Sequence, residues 1–80
     1  MPTIFKYMGY RFFFFSLEGY EPPHIHIEKG EKYAKFWLNP VSLARNRGFK
    51  SFELKEIMVI IEDNSVKLIE EWNEYFKDSI

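Results

Sequence analysis

The chain contains no cysteine among its 80 residues, so it has neither a disulfide framework nor a thiolate metal site. No uninterrupted apolar run approaches the roughly 20 residues that cross a bilayer. The N-terminus lacks the basic, apolar and small-residue pattern of a signal peptide. Net charge is also low, at −1, which argues against tight, non-specific binding to DNA. We therefore expect a soluble, unprocessed, cytoplasmic protein with no membrane partner.

Apolar and aromatic side chains are abundant for such a short chain. Hydrophobic residues make up 46% and aromatic residues 20% of the sequence, including nine Phe. This content predicts one compact domain over residues 1–80, close to the smallest size at which a single core is self-sufficient. Charge is unevenly distributed: residues 1–50 carry eight Lys and Arg against four Glu, and residues 51–80 carry three Lys against eight Asp and Glu. Solvated acidic helix faces or a basic face opposite an acidic one both explain this distribution.

The N-terminal two thirds of the chain has the pattern of β-strands. Residues 3–7, 10–16, 24–28 and 32–38 are rich in aromatic and β-branched side chains. Met8-Gly9 and Lys29-Gly30 lie where tight turns would connect them. Residues 41–43 fit either a short fifth strand or a turn of helix, and residues 45–48 resemble a loop.

The C-terminal third has helical periodicity. Ser51 is a suitable N-cap, and Glu53 lies in the first turn, where the helix dipole favours an anion. Residues 63–65 have capping chemistry, so one helix could end there or continue through. The apolar positions of the two patterns are Leu54, Ile57, Met58, Val59, Ile60 and Ile61, then Leu68, Ile69, Trp72, Tyr75 and Phe76.

These elements predict an α+β fold, in which an antiparallel meander of four to five strands precedes two C-terminal helices packed on one sheet face. Alternation along the strands assigns side chains to the two faces. The helix-covered face would hold Tyr10, Phe12, Phe14, Ile25, Ile27, Ala34, Phe36 and Leu38. The opposite face would hold Arg11, Phe13, Phe15, His24, His26, Glu28, Tyr33, Lys35 and Trp37.

Both histidines lie in residues 21–28, directly after Pro22-Pro23. The two prolines favour a stiff, extended entry into the strand. Because side chains alternate, His24, His26 and Glu28 would form a row on one side of the sheet. One interpretation is a divalent-metal site formed by His24 and His26 with a carboxylate from Glu28, Glu21 or Glu31. The simplest alternative is that both histidines are ordinary strand residues with nearby hydrogen-bond partners.

Three further interpretations concern the same face. His24 or His26 could act in acid–base or nucleophilic chemistry on a phosphate. Arg11, Lys35 and the histidines interleave with Tyr33 and Trp37, and this favours nucleic-acid or anion recognition, which Arg45, Arg47 and Lys50 would extend. Exposed Phe13, Phe15 and Trp37 would instead favour a protein partner or a homodimer.

Several segments together resemble the bacterial domain of unknown function 4160 family. They are Met1-Pro2-Thr3-Ile4, Gly9-Tyr10-Arg11-Phe12-Phe13-Phe14, Glu21-Pro22-Pro23-His24-Ile25-His26-Ile27, Ala34-Lys35-Phe36-Trp37-Leu38, Gly48-Phe49 and the helical residues 53–72. The resemblance implies a small stand-alone prokaryotic protein whose gene lies beside a second small gene, in an arrangement like that of toxin–antitoxin pairs. It supplies no catalytic residues.

We therefore expect a small partner-binding protein, with a binding surface formed by Arg11, His24, His26, Glu28, Lys35 and Trp37. The alternatives are a metal- or phosphate-dependent enzyme centred on His24 and His26, and a nucleic-acid-binding module.

Overall fold

The computed structural model describes residues 3–14 and 20–77. Its elements follow one another as five strands and then two helices. The strands are β1 (Thr3–Tyr7), β2 (Tyr10–Phe13), β3 (His24–Lys29), β4 (Lys32–Leu38) and β5 (Val41–Arg47). The helices are α1 (Ser51–Asp63) and α2 (Ser65–Phe76). The predicted α+β fold is confirmed, while the assignment of residues 1–80 to a single domain stays a prediction.

The five strands form one antiparallel sheet in the order β1-β2-β3-β4-β5. Positive φ angles at Met8 and Gly9 form the two-residue turn between β1 and β2. The second two-residue turn is shifted by one position from the prediction, because Lys29 pairs with Lys32 and the turn residues are Gly30 and Glu31. Gly30 has a φ of +61°, which glycine adopts without steric cost.

Strand β5 is longer than the sequence predicts. Residues 45–47 were expected in a loop, but Arg45 pairs with Lys35 and Arg47 pairs with Tyr33. The register shifts between Lys35 and Phe36, where Ala44 is the extra residue of a β-bulge. The bulge interrupts the alternation of side chains between the two faces of the sheet, and the sequence alone does not reveal this interruption. Predicted strand 10–16 is shorter, since β2 ends at Phe13; Phe15 and Ser16 lie outside the described residues.

The core lies between the sheet and the two helices. Every side chain predicted for the helix-covered face belongs to this buried cluster, together with Phe49, Ile57, Ile60, Ile61, Leu68, Trp72 and Phe76. Phe14 lies just beyond β2 and packs edge-on against Trp72, with ring centroids 5.3 Å apart. At the other end of the core, the Tyr10 hydroxyl donates a 2.7 Å hydrogen bond to Glu56. Burial and the Glu56 carboxylate together raise the pKa of Tyr10 well above its usual value.

The break between the helices occurs at Asn64. Its side-chain Nδ2 donates to the Ile60 carbonyl at 2.7 Å, and its backbone N–H donates to Ile61 at 3.1 Å. The Asn64 carbonyl in turn accepts from Leu68, in the first turn of α2, at 2.9 Å. Asn64 therefore ends one helix and begins the next, as the capping chemistry of residues 63–65 allows.

The start of α1 differs by one residue from the prediction. Lys50, not Ser51, occupies the N-cap with extended backbone angles. Glu53 accepts a hydrogen bond from the Lys50 backbone N–H at 3.0 Å, and the Lys32 ammonium lies 2.9 Å from its other oxygen. These two interactions hold the pKa of the Glu53 carboxyl below its ordinary value, with the backbone hydrogen bond as the larger cause.

We expect the stability of the fold to depend on pH through Glu53. Because the pKa is lower in the folded than in the unfolded chain, the carboxylate stabilises the fold above its ordinary pKa of about 4.3. That contribution is lost as the pH falls through the folded value. Glu53→Gln should therefore be less stable than the parent at neutral pH, and the difference should shrink in acid. Urea unfolding across this pH range measures it.

The matched control is Glu70→Gln on the exposed side of α2, which makes no ion pair or hydrogen bond with the described residues. It should leave stability unchanged at both ends of the range. A Glu53→Gln difference that persists undiminished in acid would contradict the assigned cause.

Candidate functional site

Strand β3 lies at the centre of the sheet, and its alternate residues define the face opposite the main core, although Trp72 of α2 reaches the His24 end of this face. We call this surface the histidine face; it consists of Arg11, Phe13, His24, His26, Glu28, Tyr33, Lys35 and Trp37. The register brings these residues together in cross-strand pairs: Arg11 with Glu28, Phe13 with His26, His24 with Trp37, His26 with Lys35, and Glu28 with Tyr33. The predicted row of His24, His26 and Glu28 is therefore formed.

His24 is fully buried at the start of β3. Its Nδ1 lies 2.9 Å from the Pro22 carbonyl oxygen. A carbonyl can only accept, so Nδ1 carries the proton in this hydrogen bond. The ring packs against Trp37 of β4 and against Trp72 of α2, with centroids 5.7 Å and 4.8 Å away. His24 thus ties the extended proline segment to both the sheet and the second helix.

His26 is also buried, with only 2% of its surface exposed. Its Nδ1 forms a 2.6 Å hydrogen bond with the Tyr33 hydroxyl. The ring stacks on Phe13 and on Tyr33, at centroid distances of 5.5 Å and 5.7 Å, and meets His24 edge-on at 5.0 Å. The two imidazoles are therefore members of a packed aromatic row that crosses three strands.

The two cations predicted for this face both have carboxylate partners. Arg11 Nη1 lies 2.6 Å from Glu28, and its guanidinium lies 4.4 Å from the centre of the Phe13 ring. Lys35 Nζ lies 2.8 Å from Glu21 and 4.6 Å from the centre of the Trp37 ring. Each cation is thus held over an aromatic ring by a neighbouring acid, which fixes its position and reduces its net charge.

Phe13 does not form the exposed patch that the sequence predicts. It is buried, because the stacked His26 ring and the Arg11 guanidinium lie against it. Phe15 lies outside the described residues. Trp37 is half-buried, so it is the member of that predicted trio that the described structure presents in part to solvent.

Two exposed arginines extend the histidine face onto β5. Arg45 and Arg47 were expected in a loop, but the extended strand places them beside Lys35 and Tyr33. The Arg47 guanidinium lies 5.5 Å from the centre of the Tyr33 ring. Neither arginine forms an ion pair with any carboxylate in residues 3–14 or 20–77. Among the described residues of this face, these two cations are therefore not held in an ion pair.

A cavity of about 650 Å³ opens between the β3–β4 turn and β5. It is lined by Phe13, Glu28, Gly30, Glu31, Lys32, Tyr33, Arg45 and Arg47. A lining that combines aromatic and charged side chains suits an amphipathic ligand or side chain better than a purely apolar one.

The described residues do not assemble the predicted metal site. Within residues 3–14 and 20–77, no group of three or more His, Asp and Glu is placed to hold a metal ion. Glu28 is paired with Arg11, and Nδ1 of each histidine is engaged by Pro22 or Tyr33. A catalytic role for either histidine stays a prediction, and the burial of both rings favours a structural role in the aromatic row.

Sequence reasoning placed Tyr33 on the correct face but did not identify it as the partner of His26. The signal was available, since a two-residue turn after Lys29 sets the register and places Tyr33 diagonally opposite His26. Glu21 was considered only as a metal ligand, yet it pairs with Lys35. That contact depends on how the proline segment folds over β4, which no local pattern encodes.

Removing the Tyr33 hydroxyl should destabilise the fold. Tyr33→Phe keeps the ring but deletes the hydrogen bond to buried His26, and loss of such a partner costs about 1–3 kcal/mol. Tyr7→Phe removes the hydroxyl of an exposed tyrosine and should change stability by less than about 0.5 kcal/mol. Urea unfolding measures both variants. Equal stability of the two would show that the hydrogen bond to His26 contributes nothing.

Comparison with known protein families places the chain among its relatives. The model of the family described as Domain of unknown function (DUF4160) matches residues 9–73. That range contains the whole histidine face, β5, all of α1 and most of α2. Searches of curated proteins and of solved structures found no match. No helix among the described residues is long and apolar enough to span a membrane.

Proposed function

Since the chain belongs to the DUF4160 family, we propose that it is a partner-binding protein whose partner contacts the histidine face together with Arg45 and Arg47. The observation that carries the proposal is the cavity between the β3–β4 turn and β5, which charged and aromatic side chains line. The hydrophobic core lies on the other side of the sheet, and none of the residues that line this cavity belongs to a helix.

The state of the histidines supports binding over catalysis. Both rings are buried, and each has an Nδ1 committed to a neighbour within the fold. A general acid or base must reach the proton that it transfers. The aromatic row instead gives a rigid platform whose accessible parts are Trp37, Tyr33 and the β5 arginines. Tryptophan, tyrosine and arginine are the residues that most often dominate the energy of protein interfaces.

The charges around the cavity indicate the chemistry of the partner. Arg11 and Lys35 form ion pairs with Glu28 and Glu21, whereas Arg45 and Arg47 form none with a described carboxylate, although Glu28 and Glu31 also line the cavity. A partner segment with acidic side chains next to an aromatic or aliphatic residue would complement this surface. We therefore propose a protein segment of that composition.

The cellular setting is part of the same proposal. The family resemblance supports a bacterial protein encoded beside a second small gene, as one component of a toxin–antitoxin-like system. The cysteine-free composition fits a reducing compartment such as the cytoplasm. The product of the neighbouring gene is accordingly the first partner to test.

A single-stranded nucleic acid is the second candidate ligand. The specific observation that favours it is the pairing of cations with aromatic rings, Lys35 with Trp37 and Arg47 with Tyr33. Bases stack on aromatic side chains while cations hold phosphates. The low net charge of the chain, −1, favours the protein partner.

The experiment is a calorimetric titration of the chain with the purified product of the neighbouring gene. Trp37→Ala, on the histidine face beyond the cavity, should weaken binding by roughly thirtyfold, because truncating an interface tryptophan costs about 2 kcal/mol or more. Arg45→Glu with Arg47→Glu should weaken it further and reduce its dependence on salt. Lys67→Glu reverses a single charge on exposed α2 and should leave binding unchanged.

A parallel titration with a mixed-sequence single-stranded oligonucleotide separates the two candidates. Oligonucleotide binding that disappears in the arginine variant, with no binding of the protein, would replace the proposed partner by a nucleic acid. Protein binding that survives both the Trp37 and the arginine substitutions would place the contact elsewhere and overturn the proposal.

A further inference from the structure

The helix-covered side of the protein carries an apolar patch that the core does not use. We call it the α1 patch, and it consists of Tyr7, Met8, Phe52 and Val59, all of which are more than half exposed. They surround one groove of about 480 Å³ between the β1–β2 turn and α1. The sequence predicted Val59 to be buried with the helix stripe, but 54% of its surface is exposed. Contiguous exposed apolar residues of this kind mark interaction surfaces.

Met8 gives an independent indication that the patch has a role. It is the only described non-glycine residue with a positive φ, at +54°. Asparagine and glycine occupy that turn position more readily than methionine does. A long apolar side chain therefore stands in a strained conformation on an exposed turn, where a better turn former would remove both the strain and the exposure. Strain retained at a surface position is a reason to look for a function there.

The α1 patch has a protruding ring and a matching recess. Phe52 is the most exposed of the four residues, at 67%. Further along the same side of the helix lies a second cavity of about 260 Å³, lined by Phe5, Tyr7, Ile60, Asp63 and Asn64. Residues 52 and 63 are eleven positions apart, which is about three helical turns and roughly 16 Å along the axis. The ring and the recess therefore lie on one face of one helix.

This arrangement is self-complementary. We infer that the chain forms a symmetric homodimer through α1, with Phe52 of each copy inserted into the recess beside Asp63 of the other. An isologous contact requires that a residue i meets a residue j while j meets i. Two antiparallel α1 helices, related by a two-fold axis midway between residues 52 and 63, satisfy this condition. The axis passes between Glu56 and Val59, so each Val59 lies near the centre, opposite Glu56 of the other copy.

The charges along α1 fit the same geometry. Lys55 lies in the N-terminal half of the helix, and Glu62 and Asp63 lie at its C-terminal end. None of the three forms an ion pair with any described residue. Antiparallel apposition brings Lys55 of each copy towards Asp63 of the other, so the attraction occurs twice. Parallel apposition would place like charges together and is disfavoured.

The dimer is independent of the proposed function. It uses the helix side of the sheet, so the histidine face of each copy stays open to its partner. Dimerisation and partner binding can therefore be measured separately, and failure of one leaves the other intact.

Sedimentation equilibrium of the whole chain, over micromolar to millimolar concentrations, tests the inference. The parent should sediment as a dimer at the high end. Phe52→Ala and Val59→Ala should each weaken association by at least about tenfold. The matched controls are Tyr20→Ala, an aromatic residue that is 82% exposed, and Val66→Ala, a valine on α2 that is 72% exposed. Both controls should associate like the parent.

Two further variants separate an interface role from a merely structural one. Met8→Asn should weaken the dimer while leaving the monomer at least as resistant to urea, because asparagine suits the turn better. Lys55→Asp should weaken the dimer, and the double variant Lys55→Asp with Asp63→Lys should restore it, because both cross-pairs are reversed together.

A parent chain that remains monomeric at every concentration would overturn the inference. So would a dimer that is unaffected by Phe52→Ala and Val59→Ala, or one that is lost in Trp37→Ala, since the latter would place the contact on the histidine face.

Discussion

The central strand β3 imposes the constraint on which the rest of the molecule depends. It is hydrogen-bonded on both sides, and its side chains must alternate between the two faces of the sheet. Ile25 and Ile27 enter the core beneath the helices, which commits His24 and His26 to the other side. Any slip by one residue would place the imidazoles in the core and the isoleucines outside. The packing on both faces therefore reinforces a single register.

Because the histidines are buried, their polar atoms require partners within the fold. The Pro22 carbonyl and the Tyr33 hydroxyl satisfy the two Nδ1 atoms. The proline segment and the β4 strand are thereby fixed relative to β3. These hydrogen bonds hold the centre of the histidine face in place, while its solvent-accessible residues lie at the margin, on β4 and β5. Such a pre-ordered surface is suited to binding, since few side chains lose conformational freedom when a partner binds.

Sequence periodicity was most reliable where a strand had a simple two-residue repeat and a clear turn at each end. Strands β1 and β4 have the predicted bounds, and the helix-covered face was assigned correctly. The errors lie where a local pattern is overridden by tertiary contacts. The bulge at Ala44 allows β5 to continue to Arg47, although residues 45–48 have loop-like composition. Apolar character alone could not show that Val59 faces outwards; its position, roughly 200° around the helix from buried Ile57, places it there.

The sequence predicted which residues form the candidate site, but not which of them are buried or paired with one another. Alternation identified which residues share the face with His24 and His26. It could not show that Phe13 is covered, that Glu21 reaches Lys35, or that Tyr33 engages His26. Those contacts follow from side-chain packing across strands. These contacts give the polar groups of the face partners within the fold.

The order of the strands has a consequence for how the chain folds. Each strand pairs only with its neighbours along the sequence, so no strand must wait for a distant segment before the sheet can grow. The entropy lost on closing a loop increases with its length. The short turns at residues 8–9, 30–31 and 39–40 make three hairpins the least costly starting points, while the longer connection between β2 and β3 is the slowest to close. Topologies dominated by such local pairings fold faster than those built from distant ones.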